Sequence, residues 1–237
     1  MRASVALAVA ALALLAGCAS HPATVTAPAT APGPAPPGEL FAVARHCVAY
    51  RLATSVPATD LQPLVPPEWS YQTPGVPQVQ LLVLRCIENT TALLTVPMRA
   101  GGSDAPPVDF VLQVFTNATD DWERLGAPVV HGARCTVSDH VDALAIDTPA
   151  GRAVTVALKL DHSQGGHWER RGDYGAGRPA ARSWGDESAE LTSTVTVDSM
   201  SFGPGSVLSG AHPVPLNSGT WWAAFNAWYR TGPAPQP

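Results

Sequence analysis

Among the 237 residues there is a single lysine, Lys159, in the stretch "GRAVTVALKLD". A lysine amine attacks a carbonyl carbon to form a Schiff base only when burial in apolar surroundings or a neighbouring cation lowers its pKa. In a strand, Lys159 shares a face with Thr155 and Ala157, while Val154, Val156, Leu158 and Leu160 occupy the other. That alternation packs the valine and leucine face and turns Lys159 to solvent, so catalysis by Lys159 requires burial beside a cation that the local pattern does not supply.

The other reactive side chains are less organised. His162 and His167, with Asp161 and Glu169, offer nitrogen and oxygen donors within nine residues, but Gly165 and Gly166 intervene and the spacing fits no two-histidine zinc site. We expect no metal and no cofactor. Ser209 and His212 are close in sequence, yet triads are assembled from distant segments and the strained Gly-x-Ser-x-Gly turn is missing. Asp120, Asp121 and Glu123 open a short helical segment, where the helix dipole already accounts for acidic residues. Trp221, Trp222 and Trp228 could face a ligand, but aromatic residues at such spacing usually pack in a core.

Four cysteines remain: Cys18, Cys47, Cys86 and Cys135. Arg2 is followed by an uncharged apolar run to Gly17, a basic region plus hydrophobic core of the kind found in export signals. The run falls short of the about 20 apolar residues a spanning helix requires. Leu15-Ala16-Gly17-Cys18 resembles the lipobox of bacterial lipoproteins. The resemblance implies cleavage before Cys18, a diacylglyceryl group on its thiol, and a lipid anchor on the extracytoplasmic face of the cell membrane. In that oxidising compartment Cys47, Cys86 and Cys135 allow one disulfide and one spare thiol, or three small buried apolar side chains; their pairing is open.

These signals divide the chain into a signal peptide (1–17), a lipidated cysteine with a Pro/Ala-rich tether (18–38), one β-rich domain (39–230) and a proline-rich tail (231–237). The tether is built almost entirely of Ala, Pro, Thr and Gly and cannot bury enough surface to order itself. Extended at about 3.1 Å per residue, it would hold the domain up to roughly 60 Å from the lipid. The formal net charge is −5 and thirteen of the fourteen basic residues are arginines without a clustered stripe, which argues against nucleic acid as a partner.

Within the domain, "FAVARHCVAYRLA", "VQLLVLRC", "VDFVLQVFTN", "VVHGARCTV", the two arms of "DALAIDTPAGRAVTVALKLD" and "LTSTVTVDSMSF" all read as strands. Leu81 to Leu84 form a run apolar enough to be covered on both faces. "TDDWERLG" predicts a short helix stopped by Gly126, Asp161 to Glu190 a long polar loop pinned by Trp168, Tyr174 and Trp184, and "GTWWAAFNAWYR" a C-terminal helix with Trp221, Phe225 and Trp228 on one face. The expected class is mainly β (α+β), a single β-rich, barrel-like domain with a few short helices.

Two stretches narrow this. "LQPLVPPEWSYQTPGVPQVQLLVLRC" and "FVLQVFTNATDDWERLGAPVVHG" resemble the acetoacetate decarboxylase-like superfamily. The resemblance implies a closed β scaffold around an apolar cavity, and a Schiff-base lysine just after the Gly-x-Pro turn. Here Gly126-Ala127-Pro128 is followed by Val129 and Val130. The expected function is therefore a lipid-anchored cell-envelope protein acting as a non-catalytic module for a small apolar ligand or an interaction partner. The alternative is an envelope enzyme, either an acetoacetate decarboxylase-like Schiff-base lyase using Lys159 or an unidentified hydrolase.

Overall fold

The computed structural model describes residues 38–73, 75–100, 106–138, 140–161, 165–177 and 182–232. The expected signal peptide, Cys18 and most of the expected tether lie outside them. In chain order the strands are β1 (Leu40–Ser55), β2 (Trp69–Tyr71), β3 (Gln78–Arg85), β4 (Thr90–Ala100), β5 (Val108–Thr116), β6 (Val129–His131), β7 (Arg134–Val137), β8 (Ala143–Thr148), β9 (Gly151–Leu160), β10 (Trp168–Gly175), β11 (Arg182–Ala189), β12 (Leu191–Phe202) and β13 (Val214–Thr231). An α-helical turn, α1 (Ala58–Leu61), follows β1, and a 3-10 turn spans Trp122–Leu125.

Hydrogen bonding orders seven of the strands β1-β3-β4-β5-β10-β11-β13, and the β1–β13 pairing closes them into a ring. Most neighbours in the ring pair antiparallel over long registers. The β5–β10 seam is parallel and only two residue pairs long, Tyr174 with Asp109 and Gly175 with Phe110. From the far edge of β13 the sheet continues through β12, β9, β8 and β7.

Two cores result, one on each face of the ring wall. Inside, Ala49, Leu82, Leu93, Val111, Phe225 and Tyr229 pack with Trp122 and Leu125, which the 3-10 turn inserts. Outside, Leu52, Leu81, Leu94 and Phe110 of the wall pack against Ile146, Val156 and Val197 of the continuing sheet. β5 lies between both cores and is buried at all nine positions, which suits its largely apolar sequence "VDFVLQVFT".

Several elements differ from the sequence reading. Residues 161–190 include two antiparallel strands, β10 and β11, rather than one long loop. Their polar alternation hid the pattern, because the inward face carries glycines and charges in place of apolar side chains. The expected C-terminal helix is β13, eighteen residues paired with β1 on one edge and with β12 and β11 on the other. A bulge with Ala224 at φ 51° puts Trp222 and Phe225 on the same inner face three residues apart, and this mimics helical spacing. Across from it, β1 bulges at His46, φ 51°, so the inner residues run Ala42, Ala44, then Cys47 and Ala49, not one unbroken alternation. β4, which the sequence reading did not identify, completes the wall between β3 and β5. The 3-10 turn does end at Gly126, whose φ of 72° lets its N–H reach the Glu123 carbonyl.

Candidate functional site

The inner face of the ring is apolar except at one end, where charges collect. Arg51 follows Ala49 on the inner face of β1; Asp109 begins the inner face of β5 at the short seam; Arg170 and Glu187 face each other across β10 and β11. Arg51 Nη1 donates to Asp109 Oδ2 at 3.2 Å and to Gln80 Oε1 at 3.1 Å, while Arg51 Nη2 donates to Glu187 Oε2 at 3.4 Å. Arg170 Nη2 donates to the same Asp109 oxygen, and the Tyr174 hydroxyl donates to Glu187 Oε1. The Glu187 side chain is fully enclosed, that of Arg51 is 14% exposed, and that of Arg170 is 31% exposed.

Glycine makes room for this network. A Cβ on Gly172 would lie 2.9 Å from the Tyr174 ring, and one on Gly185 would lie 2.4 Å from the Trp228 carbonyl and 2.7 Å from the Tyr229 ring. Gly172 and Gly185 pair directly across β10 and β11, so the two tyrosines lie over a wall stripped of side chains. They pack edge to face at 5.5 Å beside Glu187.

The electrostatics follow from enclosure. Burial works against the Arg51 charge, but Glu187 and Asp109 outweigh it and hold the guanidinium above its ordinary pKa. Burial, then the Glu187 charge, push both Tyr174 and Tyr229 well above the usual phenol range, so both stay protonated, and Tyr174 donates to Glu187. Two cations and two carboxylates cancel, as a buried set must when each charge needs a partner.

Beside the seam the network opens to a cleft of about 270 Å³. Its polar lining is Gln72, Gln80, Asp109, Arg170, Arg171 and Asp173, and its rim includes Pro97 and Pro107. Burial raises the Asp173 carboxyl above its ordinary pKa, against the pull of nearby arginines.

The residues singled out from the sequence lie elsewhere. Lys159 is exposed on β9, paired with Thr196 of β12, in the part of the sheet that lies off the ring. Leu158 and Val156 fill the outer core, so the valine and leucine face packs and Lys159 lacks the burial that would activate an amine. Val129 packs toward the inner core and Val130 toward the outer one. Cys47 and Cys86 are joined by a disulfide, and Cys135 on β7 is a half-buried free thiol. His167 is exposed with Nε2 2.9 Å from Glu169 Oε1, and His162 lies outside the described residues. Among the described residues no cluster of metal-ligating side chains forms. Ser209 and His212 are both exposed.

The expected small apolar ligand in a central cavity meets a different interior. Trp122, Phe225 and Tyr229 fill the ring, and the cleft lining is polar. The four charged residues were not singled out from sequence. A signal existed for two of them: Arg51 and Asp109 interrupt otherwise apolar strands, and a charge there must find a buried partner. Arg170 and Glu187 lay in the segment read as a loop.

The fold is acetoacetate decarboxylase-like. The chain superposes on the crystal structure of acetoacetate decarboxylase from Legionella pneumophila subsp. pneumophila str. Philadelphia 1 with a TM-score of 0.52, at 13% identity over 90% of this chain and 93% of that one. A second acetoacetate decarboxylase structure gives 0.50 at 10% identity, over 83% of this chain and 88% of that one. No protein-family model matches the sequence, and no curated protein matches it.

Proposed function

We propose that this protein is a non-catalytic, lipid-anchored module of the bacterial cell envelope that binds a small molecule through the cleft beside the β5–β10 seam. One observation carries the non-catalytic part: the chain's one lysine is exposed on β9, off the ring, so the decarboxylase-like scaffold holds no amine nucleophile inside it. Schiff-base chemistry needs an amine activated by burial or a neighbouring cation, and Lys159 is exposed on β9. The anchor is supported by Leu15-Ala16-Gly17-Cys18 and by the tether directly after it.

The activity test is reductive trapping. Incubation with butanone and borohydride is expected to leave the mass of the protein unchanged. A trapped adduct on wild type that disappears in Lys159→Ala would establish the competing reading, a Schiff-base lyase. The anchor is tested by fractionation: Cys18→Ser should move the protein out of the membrane fraction, and an unchanged distribution would refute the lipoprotein assignment.

A further inference from the structure

We propose that the cleft between β5 and β10 binds a small zwitterion of the free amino-acid class, its carboxylate on Arg170 and its ammonium on Asp109. The inference rests on the reading of the protein as a binding module and specifies what it binds.

Charge balance carries the argument. The cleft is lined by two guanidinium groups, Arg170 and Arg171, and two carboxylates, Asp109 and Asp173. Behind them Arg51 and Glu187 neutralise each other, Asp186 pairs with Arg171, and Arg182 offsets Asp173. The site therefore presents both signs with no formal excess of either. A ligand with a net charge would leave one unit uncompensated in a partly desolvated place, whereas a ligand carrying both signs leaves none.

The donors and acceptors fit the two ends of such a molecule. A guanidinium has five N–H donors in a planar fork suited to a carboxylate. Arg170 gives Nη2 to Asp109, and its side chain is partly exposed where it lines the cleft. Asp109 takes both arginines on Oδ2, so its second carboxylate oxygen retains lone pairs for an ammonium. These two groups are in direct contact, which matches the short separation of the charges on one α-carbon. Asp173 and Gln72 are then left for the ligand's side chain, since Arg171 is held by Asp186 at 2.9 Å. A volume of about 270 Å³ suits a molecule of that size rather than a nucleotide or a lipid. Among the described residues the lining has no aromatic ring on which a sugar could stack.

The experiment is calorimetric titration of the full chain in detergent with glycine, L-alanine and L-leucine, compared with propionate (the anion alone), ethylammonium (the cation alone) and glycerol (a neutral polyol). At least one amino acid should bind saturably, and the three partial probes at least tenfold more weakly. Arg170→Gln should weaken that binding at least tenfold. Because Arg170 also holds the fold, Pro107→Trp, which fills the cleft from its exposed rim, is the second variant and should abolish binding. No binding by any amino acid would overturn the inference, as would propionate or glycerol binding equally well, or amino-acid binding that survives Pro107→Trp. Each of these outcomes is distinct from a trapped adduct on Lys159, which alone would overturn the non-catalytic reading.

Discussion

Asp109 Oδ2 on β5 lies 3.2 Å from Arg51 Nη1 on β1, and the same oxygen accepts from Arg170 of β10, so one carboxylate ties three strands of the ring together. It sits at the β5–β10 seam, where only two residue pairs join the strands. Charge pairing thus reinforces the ring where its ladder is shortest.

Glu187 should be the most sensitive member of the network. Its side chain is fully enclosed and compensates Arg51, so Glu187→Ala leaves a buried guanidinium short of a partner. Removing one partner of a buried pair costs about 3–5 kcal/mol. Urea denaturation should report a loss of that size, with Glu187→Gln milder because it keeps an acceptor for the Tyr174 hydroxyl.

Gly185→Ala should destabilise more than Gly172→Ala. At Gly185 the added Cβ meets the Trp228 backbone carbonyl at 2.4 Å, which moves only with β13, whereas at Gly172 it meets the Tyr174 ring at 2.9 Å, which can tilt. Overpacking of this kind costs about 1–3 kcal/mol. Thermal melts of the two variants provide the comparison, and equal melting temperatures would contradict the glycine-wall account.

Cys47 and Cys86 close a loop of 39 residues between β1 and the end of β3. A cross-link over that span stabilises by about 2–4 kcal/mol, mainly by restricting the unfolded chain. The double substitution Cys47→Ala, Cys86→Ala should lower the urea midpoint accordingly. Reductant should shift wild type toward the same midpoint and leave the double variant unchanged.

Cys135 is a thiol that burial pushes up to about 12, with Arg85 opposing the shift. The folded state therefore keeps this proton where the unfolded chain, near the ordinary value of about 8.5, releases it. The sign follows: below about 8.5 the shift has no effect on stability, and stability falls as pH rises from there toward about 12. Iodoacetamide labelling at pH 8, read on the Cys135 peptide by mass spectrometry, should be slower in the folded protein than in urea by about a thousandfold. The rate should climb about tenfold per pH unit without a plateau below about 12.

Much of the strand content was legible because it is local. The apolar run of "VDFVLQVFTN" marks β5, alternation in "LTSTVTVDSMSF" marks β12, and the αL glycine that ends "TDDWERLG" marks its boundary. Where two bulges shift the register, alternation fails and β13 takes on a helical spacing. β10 and β11 were illegible for another reason: their inward positions hold Arg170, Gly172, Gly185 and Glu187, which look like loop residues until a partner strand encloses them.

The sequence alone determined the single lysine and its alternating strand context, the lipobox-like motif, the proline-rich stretch after it, and a β-rich domain. Each depends on neighbours within a few positions. Only the tertiary structure decided that Arg51 meets Asp109 across 58 positions and Glu187 across 136, that Cys47 pairs with Cys86, and that Lys159 is off the ring. Those relations come from strand order and ring closure, which bring distant segments to one enclosed end. No local pattern specifies which buried charge will neutralise which, because that choice is made by the pairing of whole strands.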